Sequence, residues 1–194
     1  MIVIPENLPQ QVAPLTWLLG TWRGWGTATG DEGDVLIAFE FDAQVVGGHV
    51  RSRITVYDTD SVVNLDAHTG ALDGADMLNK SGVRWEESAY WTVVPDPNDE
   101  QENYLQVTSA TTRGVSQLWV GKVQGPRIRL LVDTLARTED ALAVSKGDRM
   151  LGLVNSDIFF TETLTTADGD FTTSGRVARI AEPQPIETFS KKGE

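Results

Sequence analysis

Residues Leu18–Gly30 read LLGTWRGWGTATG, and between Gly20 and Gly26 three glycines and two tryptophans share seven positions. A helix would not tolerate that glycine density, since each glycine in a helix interior costs about 1 kcal/mol relative to alanine. An extended chain uses it well. Side chains alternate across a strand, so Gly20, Trp22, Gly24 and Gly26 share one face and Trp25 takes the other. Glycines let a strand bend and let neighbouring backbone come close. A large ring then fills the space they vacate. The stretch therefore predicts the first strand of a strongly curved sheet. Trp22 plugs its core or one end, and Trp25 faces outward or toward a lid.

Working outward, the pattern stays strand-like almost to the end of the chain. DVLIAFEFDA (34–43) alternates, with Ile37, Phe39 and Phe41 on one face and Ala38, Glu40 and Asp42 on the other. HVRSRITVYD follows the Gly47-Gly48 turn signal. VRWEESAYWTVV (83–94) sets Val83, Trp85, Glu87, Ala89, Trp91 and Val93 on one face. NYLQVTSAT, VSQLWVGKV, RIRLLVDTL, DRMLGLV, DIFFTETLT and DFTTSGRVARIA come in quick succession, the last two joined by an Asp-Gly hairpin turn. About ten strand-like segments at short spacing mark an all-β protein. An antiparallel meander of that length removes its edges by closing. The fold expected is an antiparallel up-and-down β-barrel, with one short helical turn in APLTWLLG. A barrel of about ten strands is wider than side chains readily fill, so an internal cavity is expected, open at one end. Residues 1–14 read as a leader, 15–181 as the barrel domain and 182–194 as a polar tail. The segment around His68 resists a strand reading and fits a short helix or lid.

Composition narrows the function. The 194 residues carry a net charge of −12 and no cysteine. An acidic surface without a basic stripe repels a phosphate backbone, so nucleic acid is not expected as a partner. The missing cysteines remove disulfides, thiolate nucleophiles and cysteine metal ligation. No apolar run is long enough for a membrane-spanning helix and the N-terminus lacks a basic signal region, so a cytoplasmic protein without membrane attachment is expected. Oligomeric state is not legible.

The Gly20–Gly26 stretch has the form G-x-W-x-G-x-G and follows PLTWLLG. On these residues the chain resembles the nitrobindin family. WEESAYWTV is similar to that family's E-x-G-Y-W-like strand, DTLARTEDA resembles its S-x-A-R-T segment, and GRVARI resembles its closing strand, so the likeness runs from Leu15 to Ile180. It implies a ten-stranded antiparallel barrel of the lipocalin or fatty-acid-binding-protein kind. In haem-holding members one histidine on the last strand ligates the ferric iron at the barrel mouth. Here GDFTTSGRVARI contains no histidine, and Thr172 lies near the corresponding position. TATGDEGDV replaces the Tyr-Pro-Thr triplet, and no lysine follows the Ala-Arg-Thr segment. The resemblance therefore points to a branch that keeps the barrel without the iron ligand.

The remaining candidates are few. His49 and His68 are the only histidines, and neither has neighbours suited to orienting a ligating imidazole. Tyr57, Tyr90 and Tyr104 are the other residues able to ligate ferric iron. No hydrolase elbow, phosphate loop or zinc-protease motif occurs, and no metal site is expected. Glu86 and Glu87 point to opposite faces. If Trp85 and Trp91 face inward, Glu87 does too and needs a partner, for which Arg51, Arg53 and Arg129 are available. If the parity slips at a bulge, Glu87 is exposed.

The reading is a non-catalytic binder of a small apolar or amphipathic ligand. Gly20, Trp22, Gly24 and Gly26 are architectural, and Trp85, Glu87, Trp91 and Arg129 are the candidate pocket. No cofactor is expected, haem b being second choice. The alternatives are a haem-bearing peroxynitrite isomerase with a non-standard ligand, and an interaction module with a filled barrel.

Overall fold

The chain is described by a computed structural model over residues 5–29, 33–96 and 99–186. Residues 1–4 of the expected leader and 187–194 of the expected tail lie outside the described residues. A 3-10 helix, Gln10–Leu18, leads into ten strands: β1 (Gly20–Ala28), β2 (Val35–Val46), β3 (His49–Thr59), β4 (Lys80–Asp96), β5 (Asp99–Thr111), β6 (Val115–Gln124), β7 (Arg127–Arg137), β8 (Lys146–Val154), β9 (Asp157–Thr166) and β10 (Gly169–Ala181). Each pairs antiparallel with its sequence neighbour, and β1 closes on β10. The result is the all-β, ten-stranded up-and-down barrel. Among the described residues no helix is long and apolar enough to cross a membrane.

The opening stretch does what its composition requires. Gly20 turns the chain out of the 3-10 helix at φ +112°, a backbone angle that L side chains rarely adopt. At Gly24 a Cβ would lie 1.9 Å from the Arg176 carbonyl oxygen of β10, so barrel closure needs glycine there. The Trp22 indole points inward with 1% exposure and donates to the Leu18 carbonyl oxygen at 2.8 Å, tying the 3-10 helix across one end of the barrel. The Arg179 guanidinium lies 4.5 Å over that ring and donates to the Trp17 carbonyl oxygen. Val12, Leu15, Trp17 and Leu18 pack with Trp22 in the apolar core at this end.

Trp25 points the other way. Outside the wall it joins Ala38 and Leu78 in a second apolar cluster, with Leu36, Tyr57, Val63 and Leu65 packed around it. The covering piece is the segment between β3 and β4, which carries one short helix, α1 (Ala71–Asp76). The Trp25 Nε1 donates to the Gly70 carbonyl oxygen at 3.0 Å, and a Cβ at Gly74 would stand 2.2 Å from the indole. Arg23 pairs with Asp76 at 2.6 Å on the rim. The segment is thus a flap on the outer wall and covers neither barrel end. It also explains why Ala38, on the outward face of β2, is buried.

Parity along β4 holds from Trp85 onward but fails at Val83. The ladder pairs Val56 with Trp85 and Tyr57 with Val83, leaving Arg84 as an extra residue. This bulge turns Val83 outward, 59% exposed, where strict alternation places it inside.

Candidate functional site

Halfway along the barrel the apolar packing gives way to a buried charge cluster. Arg149 of β8 and Glu162 of β9 are directly paired across the ladder, and Glu87 reaches them from β4 on the opposite wall. The Arg149 guanidinium holds Glu87 with two parallel hydrogen bonds, Nη1 to Oε1 and Nη2 to Oε2, both 2.8 Å. Its Nε donates to Glu162 Oε2 at 2.8 Å, and its Nη2 reaches the same oxygen. All three side chains are at least nine-tenths buried. Burial alone would lower the Arg149 pKa, but the Glu162 and Glu87 carboxylates outweigh it and hold the group above its ordinary value. The Trp119 ring lies 4.4 Å beneath the guanidinium, its Nε1 donating to Ser109 Oγ.

A second arginine stands beside this cluster. The Arg113 guanidinium lies 4.4 Å over the Trp85 ring and 3.7 Å from Glu162 Oε1. Burial lowers its pKa, more than the attraction of Glu162 and Glu87 restores.

Next to these charges lies a cavity of about 50 Å³. Its apolar wall comes from Phe41, Trp85, Trp91, Leu151, Phe160 and Val177, and its polar part from Ser52, Glu87, Arg149, Glu162 and Thr173. Trp91 Nε1 donates to Ser52 Oγ at 2.8 Å, so that pair is satisfied internally. The hollow is smaller than strand number suggests because Trp22, Trp85, Trp91, Trp119 and Phe39 fill the interior. Ligand pockets ordinarily run from roughly 300 Å³ upward, whereas a single water needs about 10–15 Å³. The cavity has room for a few water-sized groups.

The residues singled out from sequence fall as follows. Trp85, Glu87 and Trp91 line the cavity; Glu87 is 3% exposed, so the bulge at Arg84 does not flip it. Arg129 does not belong there: its side chain is 70% exposed and meets Asp148 on the outer wall. Arg51 contacts Gln44 and Arg53 contacts Glu86, both outside. The partner of Glu87 is instead Arg149. Thr172 points outward, its hydroxyl 3.1 Å from that of Thr163, while the next residue, Thr173, lines the cavity. His49 is exposed beside Thr92, and His68 is exposed in the flap segment. Tyr57 donates to Glu40 on the outside, and Tyr90 and Tyr104 are exposed. No group of three or more metal-ligating side chains occurs among the described residues.

Arg149, Glu162 and Arg113 were not anticipated, although parity contained a signal for two of them. Arg149 shares its face with Leu151, and Glu162 shares its face with Ile158, Phe160 and Leu164. Opposite charges at inward positions of adjacent strands imply an internal ion pair.

The fold and sequence have clear relatives. Residues 11–178 match the family model described as the THAP4-like, heme-binding beta-barrel domain. A protein of Clavibacter michiganensis subsp. michiganensis named peroxynitrite isomerase is 31% identical, with 93% of this chain and all of that protein covered. A ferric nitrobindin-like protein of Beutenbergia cavernae is 30% identical over 92% of this chain and 98% of its own length. The crystal structure of Rv2717c from M. tuberculosis superposes with a TM-score of 0.67 at 17% identity, covering 89% of this chain and 99% of that one. The chain belongs to the THAP4-like, heme-binding beta-barrel family, the nitrobindin-like proteins.

Proposed function

We propose that this chain is a non-catalytic ligand-binding barrel whose interior takes a small non-haem ligand of a few heavy atoms. The observation that carries the reading is the content of the cavity. Among the described residues its lining includes no histidine, cysteine, methionine or tyrosine. Its two carboxylates are already engaged by Arg149. A porphyrin needs far more than about 50 Å³ and an axial donor, so the residues present do not fit haem. What remains is a hollow walled by Trp85, Trp91 and Phe160 with a few polar groups, which is the composition of a small-ligand site.

Xenon, which enters small apolar cavities, tests this by solution NMR. Saturable xenon binding that shifts the Trp85 and Trp91 indole N–H signals is expected. No shift at either indole under xenon pressure would favour a filled barrel and overturn the reading.

A second reading draws on the relatives named peroxynitrite isomerase. A haem-loaded barrel here would require the Glu87–Arg149–Glu162 cluster to leave the interior and an iron ligand to come from elsewhere.

A further inference from the structure

The two oxygens of Glu162 are treated unequally. Oε2 accepts two hydrogen bonds from Arg149. Oε1 accepts none among the described residues, and the nearest cation is the Arg113 guanidinium at 3.7 Å. The Glu162 side chain is only 8% exposed. With its one neighbouring cation beyond hydrogen-bond distance, Oε1 keeps acceptor capacity for a ligand that brings a donor.

Arg113 holds its place weakly. It makes no hydrogen bond among the described residues and sits partly desolvated on the Trp85 ring. Its guanidinium nevertheless demonstrates what fits between Trp85 and Glu162: a planar organic cation.

Charge selects the same class. Without Arg113, the cluster of Glu87, Glu162 and Arg149 carries one net negative charge. Arg149 already spends four of its five N–H groups on the two carboxylates, leaving little to attract an anion. A cation both neutralises the cluster and gains from the indole face.

We propose that the barrel interior binds a small organic cation, an alkylguanidinium or alkylammonium, which donates to Glu162 Oε1 and stacks on Trp85 in place of the Arg113 guanidinium. This rests on the ligand-cavity reading above and specifies its ligand. Space follows from the exchange, because the ligand takes the place the outgoing guanidinium leaves beside Trp85 and Glu162, two residues that also line the cavity. Arg113 is then a built-in competitor, and ligand affinity carries the penalty of moving it aside.

The test uses methylguanidinium, acetate and xenon as probes, followed through the Trp85 indole N–H signal in the full chain. Methylguanidinium is expected to bind the parent protein, and Arg113→Ala is expected to tighten it by about fivefold or more through loss of the competitor. Glu162→Gln should abolish it; should that variant not fold, the Arg113→Ala gain still decides. Unchanged or weaker methylguanidinium binding in Arg113→Ala, or acetate binding more tightly than methylguanidinium, would overturn the inference. Xenon separates the levels: xenon binding without methylguanidinium binding overturns only the cation, while loss of both overturns the ligand cavity as well.

Discussion

Glu86 and Glu87 are neighbours on β4 and occupy opposite sides of the barrel wall. Glu86 meets Arg53 on the outer face, where the arginine is 63% exposed. Glu87 meets Arg149 inside, where both side chains are at least nine-tenths buried. The chemistry is the same and the physics is not. Outside, water screens the charges and either partner can be lost cheaply. Inside, each charge has given up its hydration, so the three members depend on one another. The interior cluster thus ties β4, β8 and β9 together across the barrel, while the outer pairs stand independently.

Substitutions on the two sides of the wall probe that contrast. The largest effect is expected from Arg149→Met, which leaves Glu87 and Glu162 facing each other without a cation. About 3–5 kcal/mol of stability should be lost, measured by urea unfolding at neutral pH. Replacing the cluster together, with Glu87→Leu, Arg149→Met and Glu162→Leu, should recover most of that loss, because an apolar core needs no compensation. A triple variant no more stable than Arg149→Met would mean the cluster is not a mutually compensating unit.

Next comes the outer flap. Trp25→Ala removes the ring on which the β3–β4 segment rests, and buried tryptophan-to-alanine changes cost about 3 kcal/mol or more. Its signature should be local: faster amide exchange across residues 60–79, with the Trp91 and Trp119 indoles undisturbed. If those inner indoles shift instead, the two apolar clusters are coupled through the wall.

Glu86→Gln should leave the urea midpoint within experimental scatter. Another small effect concerns acid. The Lys80 hydrogen bond, helped by Tyr57 and opposed by partial burial, lowers the Glu40 pKa from its ordinary 4.5. A carboxylate with a depressed folded value contributes stability above its unfolded pKa and loses it as the pH falls through the folded one. Glu40→Gln should therefore flatten slightly the decline in stability below about pH 4.5.

Much of the fold was legible because one face of each strand had to be apolar. The alternation through Ile37, Phe39 and Phe41, and the glycine-tryptophan spacing from Gly20, required a curved, closing sheet. Trp22 and Trp25 were separable by parity alone. What parity could not give was distance across the barrel. Which inward arginine meets Glu87 depends on β4 and β8 facing each other over the interior, with no sequence proximity to announce it. Arg129 was a reasonable partner by type but sits at an outward position beside Asp148. The bulge at Arg84 was equally hidden, since an extra residue leaves no mark on local composition. Cavity size also escaped prediction, because strand number bounds the hollow and the tryptophans decide how much of it survives.

Under the proposed reading, this nitrobindin-like barrel gathers its interior charges on Arg149 and takes no haem. Haemin titration of the purified protein, followed in the Soret region, tests it most directly. No sharp, stoichiometric Soret shift is expected. A stoichiometric shift, abolished by changing His49, His68 or one of the tyrosines, would contradict that reading.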